Sequence, residues 1–303
     1  MDLATPVSPR AGTPTRSARL TDLALAAGFV LAWSSGFVGA ELGTLAAGAV
    51  TLLAWRGIVG TAVLLVRQAR RRGRWLGVRE LVTQAGIGVL SQAGYLLGVV
   101  LAIQLGVPAG TAALVAALQP LVSGVLAGPV LGERVVPRQW VGLVIGLGGV
   151  ALVVAGDLAV PAGTPPWAYA LPFAAMASLV AATLLERRLA PRTGVAEGLT
   201  VQTGASTVVF VAVAAGSGSL VPPADPTFWA AVVWTVVLSH LGGYALYWLN
   251  VRRGGVTRVG ALLYLTPPAT ALWAFAMFDE PFGILAVAGM VICALSVPLA
   301  LRR

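Results

Sequence analysis

The chain has 303 residues, of which 58% are hydrophobic and 10% are charged, and its mean hydropathy is +0.88. A soluble domain of this length cannot bury so much apolar surface, so the composition predicts a protein whose solvent is largely lipid. The formal charge of +9 comes from arginines in short separate clusters rather than on one stripe. This pattern favours contact with anionic lipid headgroups and excludes nucleic acid as an expected partner.

The chain begins with a polar segment and continues with apolar stretches. Residues 1–20 are rich in Pro, Ser, Thr and Arg and lack the apolar core of a secretion signal, which predicts a disordered cytoplasmic tail. A helix of about 20 residues crosses a hydrocarbon core of about 30 Å. Ten stretches of suitable length are predicted to span, at residues 21–40, 46–66, 81–104, 107–131, 138–155, 166–186, 198–216, 227–250, 256–278 and 281–301.

The basic residues indicate how these helices are oriented. All twenty are arginines, and every one except Arg56 lies in alternate gaps between the apolar stretches or, as Arg138 and Arg258 do, within the first three residues of the stretch after such a gap. No Lys or Arg occurs in the intervening gaps, which are residues 41–45, 105–109, 155–165, 217–226 and 279–280. Arginine in short loops is retained on the cytoplasmic side. We therefore predict ten crossings of the membrane with both termini in the cytoplasm.

The sequence also repeats itself. Residues recur at offsets of 147 to 149, as the pairs Pro120 and Pro267, Glu133 and Glu280, Gly142 and Gly289, Ser91 and Ser239, Gly94 and Gly242, and Gly106-Val107 and Gly255-Val256. Two repeats follow, residues 21–155 and 166–301. Because five helices are an odd number, the second copy must enter the membrane from the opposite side. The predicted fold is an all-α integral membrane protein with ten transmembrane helices in two inverted five-helix repeats, an architecture that recurs in secondary transporters. Chance similarity between Ala-, Gly- and Leu-rich helices is the alternative.

The eighth predicted helix carries the only histidine of the chain, His240. His240, Tyr244 and Tyr247 follow a four-then-three spacing, which places them on one helical face. This face either lines a cavity or bonds to a neighbouring helix and anchors the membrane interface.

Polar residues and prolines mark three further helices. Gln92 and Tyr95 share a face of the third helix, and Gln119 precedes Pro120 on the fourth. Tyr264 precedes Pro267 on the ninth helix. A proline within a helix frees a carbonyl about one turn earlier. These positions are either packing kinks or hinges that contact a ligand, and the symmetry of the two prolines favours hinges.

Several kinds of chemistry are missing. A chain without lysine cannot form a P-loop, which excludes ATP hydrolysis by this chain. No group of nucleophiles, carboxylates or metal ligands converges, so we predict no catalytic residue, no metal and no cofactor. No Asp or Glu is predicted at mid-membrane depth. His240 is then the group through which proton coupling would act, and uncoupled transport is the alternative.

The order and spacing of these residues resemble the drug/metabolite transporter superfamily, and within it the EamA family of ten-helix carriers. The matching segments are Trp33-Ser34-Ser35-Gly36-Phe37, Arg56, Gln119-Pro120, Leu131-Gly132-Glu133-Arg134, Gly142, Pro267, Glu280 and Gly289. The chain departs from the family pattern at Phe278-Asp279, where Leu-Gly is more usual, and at the additional Pro268.

The resemblance implies a carrier that moves small metabolites, often outward, around a cavity lined by the first, third, fourth, sixth, eighth and ninth helices. The residues expected on that pathway are Trp33, Ser34, Gln92, Tyr95, Gln119, Pro120, His240, Tyr244, Tyr264 and Pro267. Amino acids, nucleobases and amphiphilic compounds are the expected substrates, membrane lipids are the other partner, and the carrier is a monomer or a homodimer. A non-transporting scaffold or sensor, and less favourably a membrane-embedded enzyme, are the alternatives.

Arg56 is the only charged residue predicted near the middle of a span, where it costs about 2.5 to 3.5 kcal/mol on translocon insertion scales. Two interpretations stay open. Arg56 is either a structural residue held by carbonyls and polar neighbours, or a contact for an anionic substrate. The structural interpretation is favoured, because the resemblance places Arg56 on a helix that is not expected to line the cavity.

Overall fold

A computed structural model describes residues 16–71, 76–107, 109–133, 135–155, 163–189, 193–278 and 283–301. Over these residues all regular structure is helical, as predicted. The α-helices are α1 Arg16–Ala46, α2 Ala49–Arg70, α3 Val78–Gly88, α4 Tyr95–Gln104, α5 Ala109–Ala116, α6 Gln119–Leu131, α7 Pro137–Val153, α8 Ala170–Leu189, α9 Val195–Gly216, α10 Pro226–Trp234, α11 Tyr244–Leu263, α12 Thr266–Phe278 and α13 Ile284–Leu301. A π-helix, π1, Val89–Gly94, joins α3 to α4, and a second, π2, Thr235–Gly243, joins α10 to α11. A short 3-10 turn, Pro166–Tyr169, precedes α8. Most of the predicted tail, residues 1–15, and Glu280 lie outside the described residues.

Within the described ranges, eight stretches are long and apolar enough to cross a membrane. They are Leu20–Ala40, Ala49–Arg70, Val78–Gln104, Thr111–Leu131, Pro166–Leu189, Val195–Gly216, Pro226–Leu263 and Ile284–Leu301, and Pro137–Val153 is a shorter apolar helix. Large apolar side chains such as Val63, Val144 and Leu295 are exposed on the outer surface of the bundle. Exposed side chains of this kind suit a surface in contact with lipid.

Several helices are interrupted at positions that the sequence repeat relates. Residues 117–118 separate α5 from α6, and residues 264–265 separate α11 from α12, at the same offset of 147. Gly106 has φ +94° and Gly255 has φ +77°, a backbone conformation that only glycine adopts readily. Pro120 and Pro267 each stand second in the helix after a break. The missing N–H of proline falls there among the first turn's free donors, so both prolines start a helix rather than kink one.

Packing between the two halves of the chain is reciprocal. In one direction α1 packs against π2 and α12, and in the other α8 packs against π1 and α6. The two most extensive contacts join α7 to α13 and α2 to α9, which are fifth with fifth and second with second in the two repeats. Each half therefore uses its interrupted helices to receive the first helix of the other half.

Glycines allow α7 and α13 to approach closely, which forms a packing seam between the two halves of the chain. A Cβ atom at Gly149 would stand 2.8 Å from the Sγ of Cys293 and 2.9 Å from its backbone nitrogen. A Cβ at Gly142 would stand 2.5 Å from the backbone nitrogen of Ala300. Because real side chains do not tolerate such distances, glycine is required at this seam.

Candidate functional site

A buried polar region lies where π1, π2, α2 and α9 meet. The Nε2 of His240 is 2.9 Å from the Oγ1 of Thr203, and the ring is 0% exposed. The hydroxyl of Ser206 donates to the Oε1 of Gln92 over 2.9 Å. Of the residues predicted from sequence, the fold thus brings Gln92 and His240 to one region of the interior, both joined to α9.

The π-helices explain why polar groups gather here. A π-helical turn disturbs the regular ladder and leaves carbonyls that need other donors. The hydroxyl of Tyr244 donates to the carbonyl of Ser91 over 3.1 Å, and that of Ser178 donates to the carbonyl of Leu90 over 2.8 Å. Side chains from the second half of the chain therefore complete the hydrogen bonding of π1.

Aromatic rings pack beside this polar region. The ring centroid of Trp33 lies 5.0 Å from that of Tyr244 and 5.2 Å from that of Tyr247, with which it stacks. The hydroxyl of Tyr247 is 2.5 Å from Thr183 Oγ1 and accepts from Gln119 Nε2 over 3.4 Å. Tyr247, which shares the predicted face of His240, therefore connects Gln119 to Trp33, and Trp33 also packs against Tyr244.

Arg56 lies in α2 against this region and is 5% exposed. Its Nε and Nη2 atoms have no hydrogen-bond partner. His240 and Tyr244 are near enough to interact electrostatically with the guanidinium. Carbonyls and polar side chains were expected to hold a structural arginine, yet the described part of the chain offers none to these two atoms.

The remaining predicted residues have different surroundings. Ser34 is buried, and its hydroxyl donates to the carbonyl of Leu31 in its own helix over 3.1 Å. Tyr95 and Pro267 are half-buried, and Pro120 is buried against Gly260. Tyr264 was predicted to face the cavity, but its ring lies in an apolar cluster with Leu143, Cys293 and Ala300, in the space that Gly146 leaves.

Glu186 was not among the residues predicted to be functional, because it lies at the end of the predicted span 166–186. Its side chain is 1% exposed and forms an ion pair of 2.5 Å with Arg252 of α11. Its other oxygen accepts a weak 3.5 Å bond from Gln84 Nε2. Gln202 Nε2 donates to the Oε1 of Gln84 over 2.6 Å, and Ser206 donates to the Gln202 carbonyl over 3.0 Å. Side-chain and main-chain groups thus connect Arg252 to Gln92 without interruption.

Further ion pairs join segments that are distant in sequence, at the end of the molecule where Glu186 pairs with Arg252. Arg187 Nε donates to Glu133 over 2.9 Å, and Arg187 Nη1 donates to the Arg252 carbonyl over 3.3 Å. Arg253 pairs with Asp22 near the start of α1 at 2.9 Å. Three arginine-rich regions therefore lie at one end of the molecule, namely the α6–α7 connection, the α8–α9 connection and residues 252–258. Across the described ranges, no group of three or more His, Cys, Asp or Glu residues could hold a metal ion.

Comparisons with known proteins agree with this architecture. The model of the EamA-like transporter family matches the chain twice, at residues 21–155 and 166–302. A solved structure described only as "Crystal structure of protein" superimposes with a TM-score of 0.78 and 21% identity, over 93% of this chain and 99% of the other, which shows a shared fold. No curated protein matches the sequence. The chain belongs to the EamA-like transporter family, and it is a multi-pass membrane transporter of the drug/metabolite type.

Proposed function

We propose that the protein is a secondary transporter that exports small metabolites across the inner membrane by alternating access between two inverted five-helix repeats, residues 21–155 and 166–301. The observation that carries this proposal is the pair of matched interruptions around one buried polar region. Interrupted helices at membrane depth are tolerated where they line a substrate site or are buried in protein. The interruptions carry buried polar residues in both π-helices and at the start of both proline-started helices, namely Gln92, His240, Gln119 and Thr266.

Ten crossings result when the helices on the two sides of an interruption are counted as one crossing. Gly255 divides α11, so the part before Gly255 forms one crossing with α10, and the part after it forms the next crossing with α12. The pairs α3 with α4 and α5 with α6 each form one crossing in the same way. An odd number of crossings per repeat inverts the second copy. The ion pairs near Asp22, Glu133 and Glu186 support a common arginine-rich side, which is cytoplasmic by the positive-inside rule and includes both termini.

Alternating access needs parts that stay packed and parts that separate. The glycine seam between α7 and α13 is close-packed over backbone atoms and suits the first role. Hydrogen bonds and ion pairs between the two repeats, such as Glu133 with Arg187, suit the second, because water or substrate can replace them. The breaks at residues 117–118 and 264–265 are then the hinges.

A transport assay tests this function. We would reconstitute the purified protein in liposomes loaded with a defined mixture of amino acids, nucleobases and small amphiphiles, and identify the released compounds by mass spectrometry. We expect faster release of at least one compound, unchanged in mass, than from protein-free liposomes. Trp33→Ala should slow this release, and Trp167→Ala is the matched control because Trp167 is 61% exposed. Release equal to that of empty liposomes would favour a scaffold or sensor, and a changed mass would favour an enzyme.

A further inference from the structure

Arg56 differs from the four arginines that form ion pairs in the described part of the chain. Arg187, Arg252, Arg253 and Arg258 each have an acidic partner. Arg56 is more deeply buried than any of them and has none among the described residues. A buried charge without a partner is unfavourable, which calls for a ligand that is present only part of the time.

The two unpartnered atoms of Arg56 have a specific geometry. Nε and Nη2 lie on the same edge of the planar guanidinium, and their N–H groups point in parallel. This edge is one of the two that bind a carboxylate through a pair of parallel hydrogen bonds. A carboxylate oxygen on each nitrogen would satisfy both atoms at once.

Other polar atoms without partners surround the same region. They include the hydroxyl of Ser91 and the Nε2 of Gln92 on π1, and the Nδ1 of His240 on π2. All three side chains are fully buried. Gly60, one helical turn after Arg56, allows the approach of the imidazole ring, since a Cβ there would stand 3.1 Å from His240 Cδ2. Three elements thus present unpartnered polar atoms to one interior region.

We propose that Arg56 is a substrate-binding residue of the carrier and binds the carboxylate of a substrate that carries a single carboxylate, with Ser91, Gln92 and His240 as further polar contacts. This inference rests on the proposed transport function. Arg56 brings one positive charge, which a monocarboxylate neutralises, whereas a phosphate dianion would leave a second charge buried. The substrate class is therefore small carboxylic acids, including amino acids, rather than nucleobases.

Acid and amide pairs test the inference directly. We would measure efflux of leucine against leucinamide, isovalerate against isovaleramide and benzoate against benzamide from proteoliposomes at equal loading. The release from protein-free liposomes is subtracted for each compound, because the neutral amides also cross the bilayer without a carrier. We expect the wild-type protein to release at least one acid about tenfold or more faster than its amide, because the amide replaces the charge-assisted pair by a neutral bond. Arg56→Gln should abolish this preference, and Arg56→Lys should keep part of it. Arg67→Gln removes a charge from the end of the same helix and should leave the preference intact.

The outcomes separate this inference from the proposed function. Release of amides as fast as acids, or of none of the six compounds while other metabolites are released, would overturn the carboxylate site and leave the transport function standing. A preference for acids that persists in Arg56→Gln would also overturn the role of Arg56. If that variant does not fold, as judged by size exclusion, the wild-type comparison of acids with amides and the Arg56→Lys variant still decide.

Discussion

The ion pair between Glu186 and Arg252 allows a prediction about stability, in which the size of the loss depends on which partner is removed. The glutamate side chain is 1% exposed, whereas the arginine side chain is 28% exposed and also donates to the Thr193 carbonyl over 2.7 Å. Removing the arginine leaves a buried carboxylate with one weak bond from Gln84. Removing the glutamate charge leaves an arginine that water and Thr193 still solvate.

The expected costs follow from this asymmetry. Arg252→Gln should lower the free energy of unfolding by about 3 to 5 kcal/mol, the usual cost of leaving one charge of a buried pair alone. Glu186→Gln should lower it by about 1 to 2 kcal/mol, since a neutral amide still accepts hydrogen bonds. The double variant, with two amides, should be about 2 kcal/mol more stable than Arg252→Gln, because no charge is then stranded.

Reversible unfolding in mixed micelles by titration with SDS, followed by tryptophan fluorescence, measures these differences. Arg253→Gln is the control, because its pair with Asp22 is exposed, at 47% and 35% of the side chains, and should cost at most about 1 kcal/mol. Equal losses in the two single variants would refute the reasoning. So would a double variant whose loss is the sum of theirs, since additivity means that the two side chains do not interact.

Three other predictions concern topology, coupling and packing. A reporter active only in the periplasm should be silent when fused after Arg303 and active in the loop at residues 217–226, and the opposite result would overturn the inverted topology. If an imposed pH gradient drives transport, His240→Gln should remove that dependence while substrate binding stays within about tenfold, or about 1.4 kcal/mol; a dependence that survives would assign the proton to another group. Gly149→Val should lower the unfolding midpoint by destabilising the α7–α13 seam by about 1 to 3 kcal/mol, whereas Gly148→Val, which meets open space, should not; equal effects would contradict the packing.

The helical fold and the interruptions could be predicted because they depend on local chemistry. An apolar stretch of spanning length and the backbone limits of glycine and proline act within a few residues of the chain. The repeat added a second line of information. Gly106 and Gly255 were matched by sequence alone, and both adopt a positive φ.

Side-chain direction within the bundle was harder to predict. His240 and Tyr264 both carry a polar group on helices predicted to line the cavity, yet only His240 joins the buried polar region. The difference depends on the rotation of each helix about its own axis, which is fixed by contacts with helices distant in sequence. Glu186 was not predicted, because its place near a helix end suggests exposure. In the structure, contacts with Arg252 and Gln84, which are distant in sequence, bury it.

Arg56 shows what sequence and structure each contribute to a functional assignment. Sequence locates a charge at mid-membrane depth but leaves its partner open, so both a structural role and a ligand role stayed possible, and the structural role was favoured. The structure distinguishes them by the partners it provides. Two parallel N–H groups without an acceptor, in a protein whose Arg187, Arg252, Arg253 and Arg258 each pair with a carboxylate, form an incomplete interaction. A carrier must bind its substrate and also release it, so an interaction that only the substrate completes is the kind that transport requires.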